Sequence, residues 1–249
     1  MSHHSPLYPV ALVVDGRPCL VVGGGPIATH KAEGLLRCRA EVTVVAPQIT
    51  SRLRRLAVGA APARLQGSAG TTEGEAVGTA ADGAAGTTAP PTGSLVLEER
   101  RYRPGEAAGF RLVITATGDP DVDRVVAADA DAAGVWVNSA DDVDNCTFLL
   151  PAVHRDGDVT VAVSTGGASP ALAGWLRDAA ACAIGDEAGD LAVLLDEARR
   201  RLRAEGRSTE STDWSTILSG PFVDLVRSGQ IDDARALLQA EVDEGNRRP

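Results

Sequence analysis

The sequence predicts an α/β fold: a parallel sheet with crossover helices, then a small α+β region and a helical C-terminal part. Three observations predict it. Short β-branched runs alternate with helical stretches through the first half of the chain, the order that a parallel sheet with crossovers requires. A glycine cluster at residues 23–25 stands between a strong strand and a helix. From residue 186 onward Leu191, Leu194, Leu195, Ala198 and Leu202 recur at three- and four-residue spacing, the period of a helix face.

The elements follow in order. The first residues, MSHHSP, read as a disordered tail. Residues 10–14 and 18–22 are strand-like runs split by Asp15 and Gly16, a tight-turn signal. A helix is expected over 26–37, a strand over 41–45 where VTVV is β-branched, and a helix over about 49–57 beyond Pro47. Residues 67–93 hold mostly Gly, Ala, Thr and Pro, too little apolar surface to offset ordering entropy, and predict a flexible insertion. Strands are expected over 95–102 and 111–116, a helix over 120–132 and a short strand over 135–137. Beyond Asn138 the pattern gives strands over 148–152 and 158–164 joined at 155–157, then a helix from Pro170 to about residue 183. Further helices over 221–227 and 231–242 complete a small bundle.

Composition narrows the function classes. A net charge of −10 argues against general nucleic-acid binding, which needs a basic face, and makes any anion site a local patch. Aromatics are 3% of the chain, so the core must be built from Val, Leu, Ile and Ala. The apolar runs are too short to cross a bilayer, and no basic stretch followed by an apolar one marks a signal peptide. Cys19, Cys38, Cys146 and Cys182 form no CxxC pair. Together these predict a cytoplasmic protein without membrane or structural zinc. Lys31 is the one lysine.

Gly23, Gly25 and Ala28 form a GxGxxA pattern. The first glycine permits the turn out of the strand, the second admits a pyrophosphate, and the small third residue lets helix and strand pack. Pro26 suits the first helical turn, whose free N–H groups face the phosphates. Between a strand and a helix this pattern predicts a Rossmann-type dinucleotide site, with Gly23, Gly24, Gly25, Pro26, Ile27 and Ala28 at the cofactor. The second strand ends in Ala46 and Pro47, where many NAD sites carry an acid for the ribose hydroxyls. Arg52, Arg54 and Arg55 lie downstream, within possible reach of a 2′-phosphate, so the residues alone leave NAD and NADP open. Thr117 and Gly118 either border the cofactor or form a plain turn.

The strings VVGGGPIATHKAEGLL, VTVVAP, LVITATGD, VNSAD, FLLPA and VAVSTGGASPALAGWLR occur in this order. Together they resemble the precorrin-2 dehydrogenase and sirohydrochlorin ferrochelatase family, which is similar to the N-terminal module of siroheme synthase. The likeness covers nearly the whole chain apart from 67–93, and STGGASPALA is its most specific string. It implies oxidation of the tetrapyrrole precorrin-2 to sirohydrochlorin with hydride passing to NAD⁺, in siroheme or cobalamin synthesis. Some members also insert Fe²⁺ or Co²⁺. It further implies a homodimer of three parts: an NAD-binding Rossmann domain over 1–147, a dimerisation region over 148–184 and a helical domain over 185–249. The family shares the Ala-Pro strand ending, which favours NAD⁺ over NADP⁺. A methyltransferase module, fused in some relatives, is not expected.

The family's carboxylate closes an Asn-x-x-Asp motif, here Asn138 to Asp141, and Phe148 falls at the family spacing. The resemblance therefore implies that Asp141 is catalytic, touching metal only transiently, and that Asn138 meets substrate. Asp141 lies beyond the last parallel strand, where ligands bind in such folds. The alternative is a simple loop or cap residue. Asp142 and Asp144 read as surface charge. Ser164, Thr165, Gly166 and Gly167 stand between a strand and a helix, so their hydroxyls and N–H groups suit the substrate's carboxylates; Ser169 either joins them or caps the helix. Two other classes compete: an NAD-binding regulatory module without catalysis, and a dehydrogenase of a different small substrate. The second predicts a His, Lys or Tyr constellation that the sequence does not display.

Overall fold

Five short strands build the first part of the chain. β1 (Pro18–Val22), β2 (Glu41–Ala46), β3 (Ser94–Glu99), β4 (Leu112–Thr115) and β5 (Trp136–Ser139) pair in parallel, in the order β3-β2-β1-β4-β5. The computed structural model describes residues 6–59 and 93–245; the expected tail and insertion, but for Pro6 and Gly93, lie outside the described residues. The chain divides into two compact units, 1–150 and 151–249.

In the first unit, α1 (Pro26–Arg37) and α2 (Ser51–Gly59) cover one face of the sheet, and α3 (Pro120–Ala132) covers the other. Side chains alternate accordingly. Val21, Val42 and Val44 pack with Ala28, Ala32, Leu36 and Leu53, whereas Leu20, Val22 and Val113 pack with Val126, Ala127 and Ala130. Two covered faces explain why these strands are continuously apolar. The strand order reverses between β1 and β4, whose following helices leave on opposite faces. A crevice therefore opens above their carboxyl ends, where α/β folds hold ligands.

Residues 10–14 form no strand. β1 is flanked by β2 and β4, so neither edge is free for a hairpin partner. The turn itself is present: Arg17 N donates to Val14 O at 3.0 Å, with Gly16 at φ 61°.

The second unit opens with an antiparallel hairpin of β6 (Ala152–Asp156) and β7 (Val159–Val163). Its first strand starts later than the expected 148–152, and its turn falls at Gly157 and Asp158 rather than 155–157. Thr147 N and Phe148 N are already held by Val137 O, and Pro151 has no N–H to donate. Helices α4 (Pro170–Ile184), α5 (Ala188–Ala204), α6 (Trp214–Leu218), α7 (Pro221–Arg227) and α8 (Ile231–Gly245) follow. Leu194, Ala198 and Leu202 of α5 pack with Ile217, Phe222, Val226, Ala234, Leu238 and Val242 into a core of their own. The sequence did not signal α6, which is too short to show a period and is capped by Asp213 accepting from Thr216 N at 3.1 Å. Among the described residues no helix is long and apolar enough to cross a membrane.

Candidate functional site

β1 delivers the chain into the turn through Gly23, Gly24 and Gly25. Gly23 donates to Val45 O at 2.9 Å with φ 129°, a backbone conformation that favours glycine. A Cβ there would lie 2.2 Å from Ala116 O, and one on Gly24 would lie 1.9 Å from Gln48 O. The protein itself therefore demands both glycines. Gly25 differs, because a Cβ on it would meet nothing within 4 Å. Its open side belongs to the crevice, where a phosphate needs close access to backbone. Pro26 starts α1, and no side chain caps the helix, so the first-turn N–H groups are not taken by a side-chain cap. Ala28 is buried against the sheet, while Thr29 donates to Gly25 O at 2.8 Å and meets Thr50 at 3.2 Å.

The crevice has a volume of about 880 Å³. Gly23, Gly24, Gly25, Ala46, Pro47 and Thr117 line it. Pro26, Ile27, Ala28 and Gly118 stand beside that lining; Gly118, at φ 72°, shapes the turn that presents Thr117. The β2 end is neutral, continuing with Gln48. Arg52 and Arg54 are paired with Glu33 and Glu99, and neither they nor Arg55 lines the crevice. Arg101, Tyr102, Asp119, Val122 and Val125 do line it, and sequence reasoning missed them. Asp119 had a local signal, an acid before a proline that opens a helix: it caps α3, accepting from Asp121 N at 3.0 Å.

Behind Thr117 lies a second residue the sequence hid. The Asp123 carboxylate is buried and accepts from Thr117 Oγ1 at 2.6 Å and from Thr115 Oγ1. A carboxylate within a helix reads as a solvated face until the sheet is seen to cover it. Tyr102 donates to Asp129 of the same helix at 3.0 Å; burial, then that carboxylate, pushes its hydroxyl pKa above the usual range.

Beyond β5 the chain makes a loop that returns to the strand. Asn138 is buried, and its Nδ2 donates to Phe148 O at 3.0 Å. Ser139 N donates to Cys146 Sγ at 3.1 Å, and the buried Ser139 Oγ has no partner among the described residues. Burial raises the Cys146 thiol pKa. Asp142 accepts from Asp144 N at 3.0 Å and from Asn145 Nδ2 at 2.9 Å, so it caps the short turn Val143–Asn145 rather than only adding charge. Asp141 is exposed and has no hydrogen-bond or ion-pair partner among the described residues. It does not line the crevice.

The expected substrate donors of the second unit form a self-bonded turn. Ser164 Oγ accepts from Gly166 N at 3.2 Å, and Thr165 Oγ1 accepts from Ser169 N at 3.0 Å. Ser169 caps α4, accepting from Leu172 N at 3.1 Å. Gly166 and Gly167 have φ of 64° and 85°.

A parallel sheet whose order reverses at β1, with a glycine turn opening into the crevice there, defines a dinucleotide-binding protein of Rossmann type. The sequence pattern of the family described as "Putative NAD(P)-binding" matches residues 10–152, and the chain belongs to this NAD(P)-binding family. A second pattern, "Sirohaem biosynthesis protein central", matches residues 156–179. The chain is 31% identical to a siroheme synthase of Chromobacterium violaceum over 240 residues, 96% of this chain and 44% of the relative. It is 34% identical to a siroheme synthase of Methylococcus capsulatus over 236 residues, 93% of this chain and 43% of the relative. It thus spans less than half the length of these relatives. Among solved structures, SirC, precorrin-2 dehydrogenase, shares the fold with a TM-score of 0.65 at 21% identity, covering 96% of this chain and 100% of that one.

Proposed function

We propose that the chain oxidises precorrin-2 to sirohydrochlorin with NAD⁺, a step toward siroheme or cobalamin. One observation carries the reading: the glycine-lined crevice and the Asp141 carboxylate, unpartnered among the described residues, both stand at the carboxyl end of one parallel sheet. The likeness to siroheme synthases over more than nine-tenths of the chain supports it.

The residues present fit a dinucleotide. Gly25 leaves open space where a side chain would intrude, the first turn of α1 has no side-chain cap, and β2 ends without charge. Gly23, Gly24, Gly25, Ala46, Pro47 and Thr117 hold the cofactor in this reading, and Asp123 fixes Thr117. NAD⁺, when bound, supplies the hydride acceptor. Asp141 takes the proton that leaves with the hydride, a role open to a carboxylate that no described side chain occupies. Asn138 braces the loop behind it. The Ser164 and Ser169 hydroxyls and the Gly167 N–H offer donors to the substrate's carboxylates, while Thr165 and Gly166 hold the turn that presents them.

The three-part division into a Rossmann domain (1–147), a dimerisation region (148–184) and a helical domain (185–249) belongs to the same proposal, as does a cytoplasmic homodimer. Exposed Leu172, Trp175 and Leu176 on α4 support the dimer.

The test mixes protein, NAD⁺ and enzymatically made precorrin-2, and follows the sirohydrochlorin spectrum together with NADH. Both signals are expected to rise, and Asp141→Ala is expected to slow them by about 10²–10⁴. NAD⁺ binding with no change in either signal is the regulatory-module outcome and overturns the proposal. Full activity in Asp141→Ala removes its role. Sirohydrochlorin with Fe²⁺ or Co²⁺ tests metal insertion separately, where Asp141 would take the pyrrole protons.

A further inference from the structure

A cation drawn out of water needs a partner. Among the described residues every half-buried arginine has one: Arg100 with Glu106 at 2.6 Å, Arg177 with Asp178 at 2.6 Å, Arg201 with Glu205 at 3.4 Å, Arg207 with Glu205 at 2.7 Å and Arg235 with Glu197 at 3.1 Å. Lys31 departs from this pattern. It is half-buried on α1, yet no carboxylate among the described residues pairs with it. The loop that joins Asn138 to Phe148 and carries Asp141 returns to α1, where Phe148 packs against the cluster of Ala28, Ala32 and Leu36, and the Cys146 thiol of that loop is the lysine's electrostatic neighbour. Burial lowers the lysine's pKa, as expected for an ammonium without a counter-charge. Lys31 does not line the crevice, so the cofactor's phosphates do not answer for it.

We infer that Lys31 anchors a carboxylate of the tetrapyrrole beside the loop that carries Asp141, an inference that rests on the precorrin-2 reading. The electrostatics favour this occupant. The chain carries a net charge of −10, and Asp141, Asp142 and Asp144 are exposed on the loop, so a polyanion approaching it is repelled. The Lys31 ammonium, on the helix against which Phe148 packs, offsets part of that repulsion. As a compact point charge on a flexible stem, it suits a carboxylate on a mobile arm.

The test titrates sirohydrochlorin into the wild-type protein, Lys31→Met and Lys31→Arg without NAD⁺, followed by absorbance, with NAD⁺ affinity and thermal midpoint measured in parallel. Lys31→Met is expected to weaken sirohydrochlorin binding by about tenfold or more while NAD⁺ affinity and thermal midpoint hold. Lys31→Arg is expected to recover most of the loss. Unchanged sirohydrochlorin affinity in Lys31→Met overturns the inference. An equal loss of NAD⁺ affinity also overturns it, because it shows a role in shaping α1. If Lys31→Met does not fold, Lys31→Gln removes the charge with less change in shape and is read the same way. A wild-type protein that oxidises precorrin-2 but shows no loss on removing Lys31 leaves the proposed function standing. One that neither oxidises precorrin-2 nor binds sirohydrochlorin overturns both.

Discussion

A side chain on Gly23 or Gly24 would strike a backbone oxygen, whereas one on Gly25 would enter the crevice. Neighbouring glycines thus separate a folding role from a binding role. Gly24→Ala is expected to cost about 1–3 kcal/mol in urea unfolding, since Gln48 O cannot yield without moving the β2 loop. Gly25→Val is expected to unfold close to the wild type yet bind NAD⁺ at least about tenfold more weakly, measured by calorimetry. Normal NAD⁺ affinity in Gly25→Val would show that the phosphates lie elsewhere. The GxGxxA spacing was legible in the sequence because it is local. Which glycine faces protein was not, since Ala116 and Gln48 arrive from other elements.

At the scale of elements, the proline-led helices were read without shift: α3 as Pro120–Ala132 and α7 as Pro221–Arg227. An acid or glycine before a proline states where a helix begins. Strand partners carry no such local mark, so residues 10–14 and the start of β6 were misread. The segment after β3 is held instead by contacts between near neighbours in the chain. Arg100 binds Glu106 at 2.6 Å, and Arg103 N donates to the same carboxylate at 2.7 Å. Burial pushes the Glu106 carboxyl up, but the Arg100 guanidinium and the Arg103 N–H outweigh it and leave it below its usual range. A carboxyl held low in the folded state contributes stability above its unfolded pKa, about 4.3, and that contribution is lost as pH falls through the folded value. Stability is therefore expected to fall below about pH 4.5, and Glu106→Gln to flatten part of that fall in urea titrations across this range. An unaltered pH slope would show that Glu106 contributes nothing to it.

On the scale of the whole molecule, α4 keeps only Ala173 buried while Leu172, Trp175 and Leu176 are 46%, 66% and 38% exposed. Their three- and four-residue spacing puts them on one stripe, and a contiguous apolar stripe marks an association surface. The proposed homodimer is expected to sediment at twice the chain mass, and Trp175→Arg to shift it toward monomer in analytical ultracentrifugation. A wild-type monomer at micromolar concentration would remove the dimer from the proposal.

By itself the sequence determined the fold class, the glycine turn, the neutral end of β2 and the Asn138 to Asp141 motif, because each is written in consecutive residues with a period or a spacing. Only the tertiary structure decided which charges are available at the site. It paired Arg52 and Arg54 with Glu33 and Glu99, brought Arg101 to the crevice, buried Asp123 beneath Thr117 and left Lys31 half-buried without a carboxylate partner among the described residues. The reason is physical: a parallel sheet gathers the ends of strands that are distant in the chain, and a charge acquires its partners, or lacks them, only once those ends are side by side.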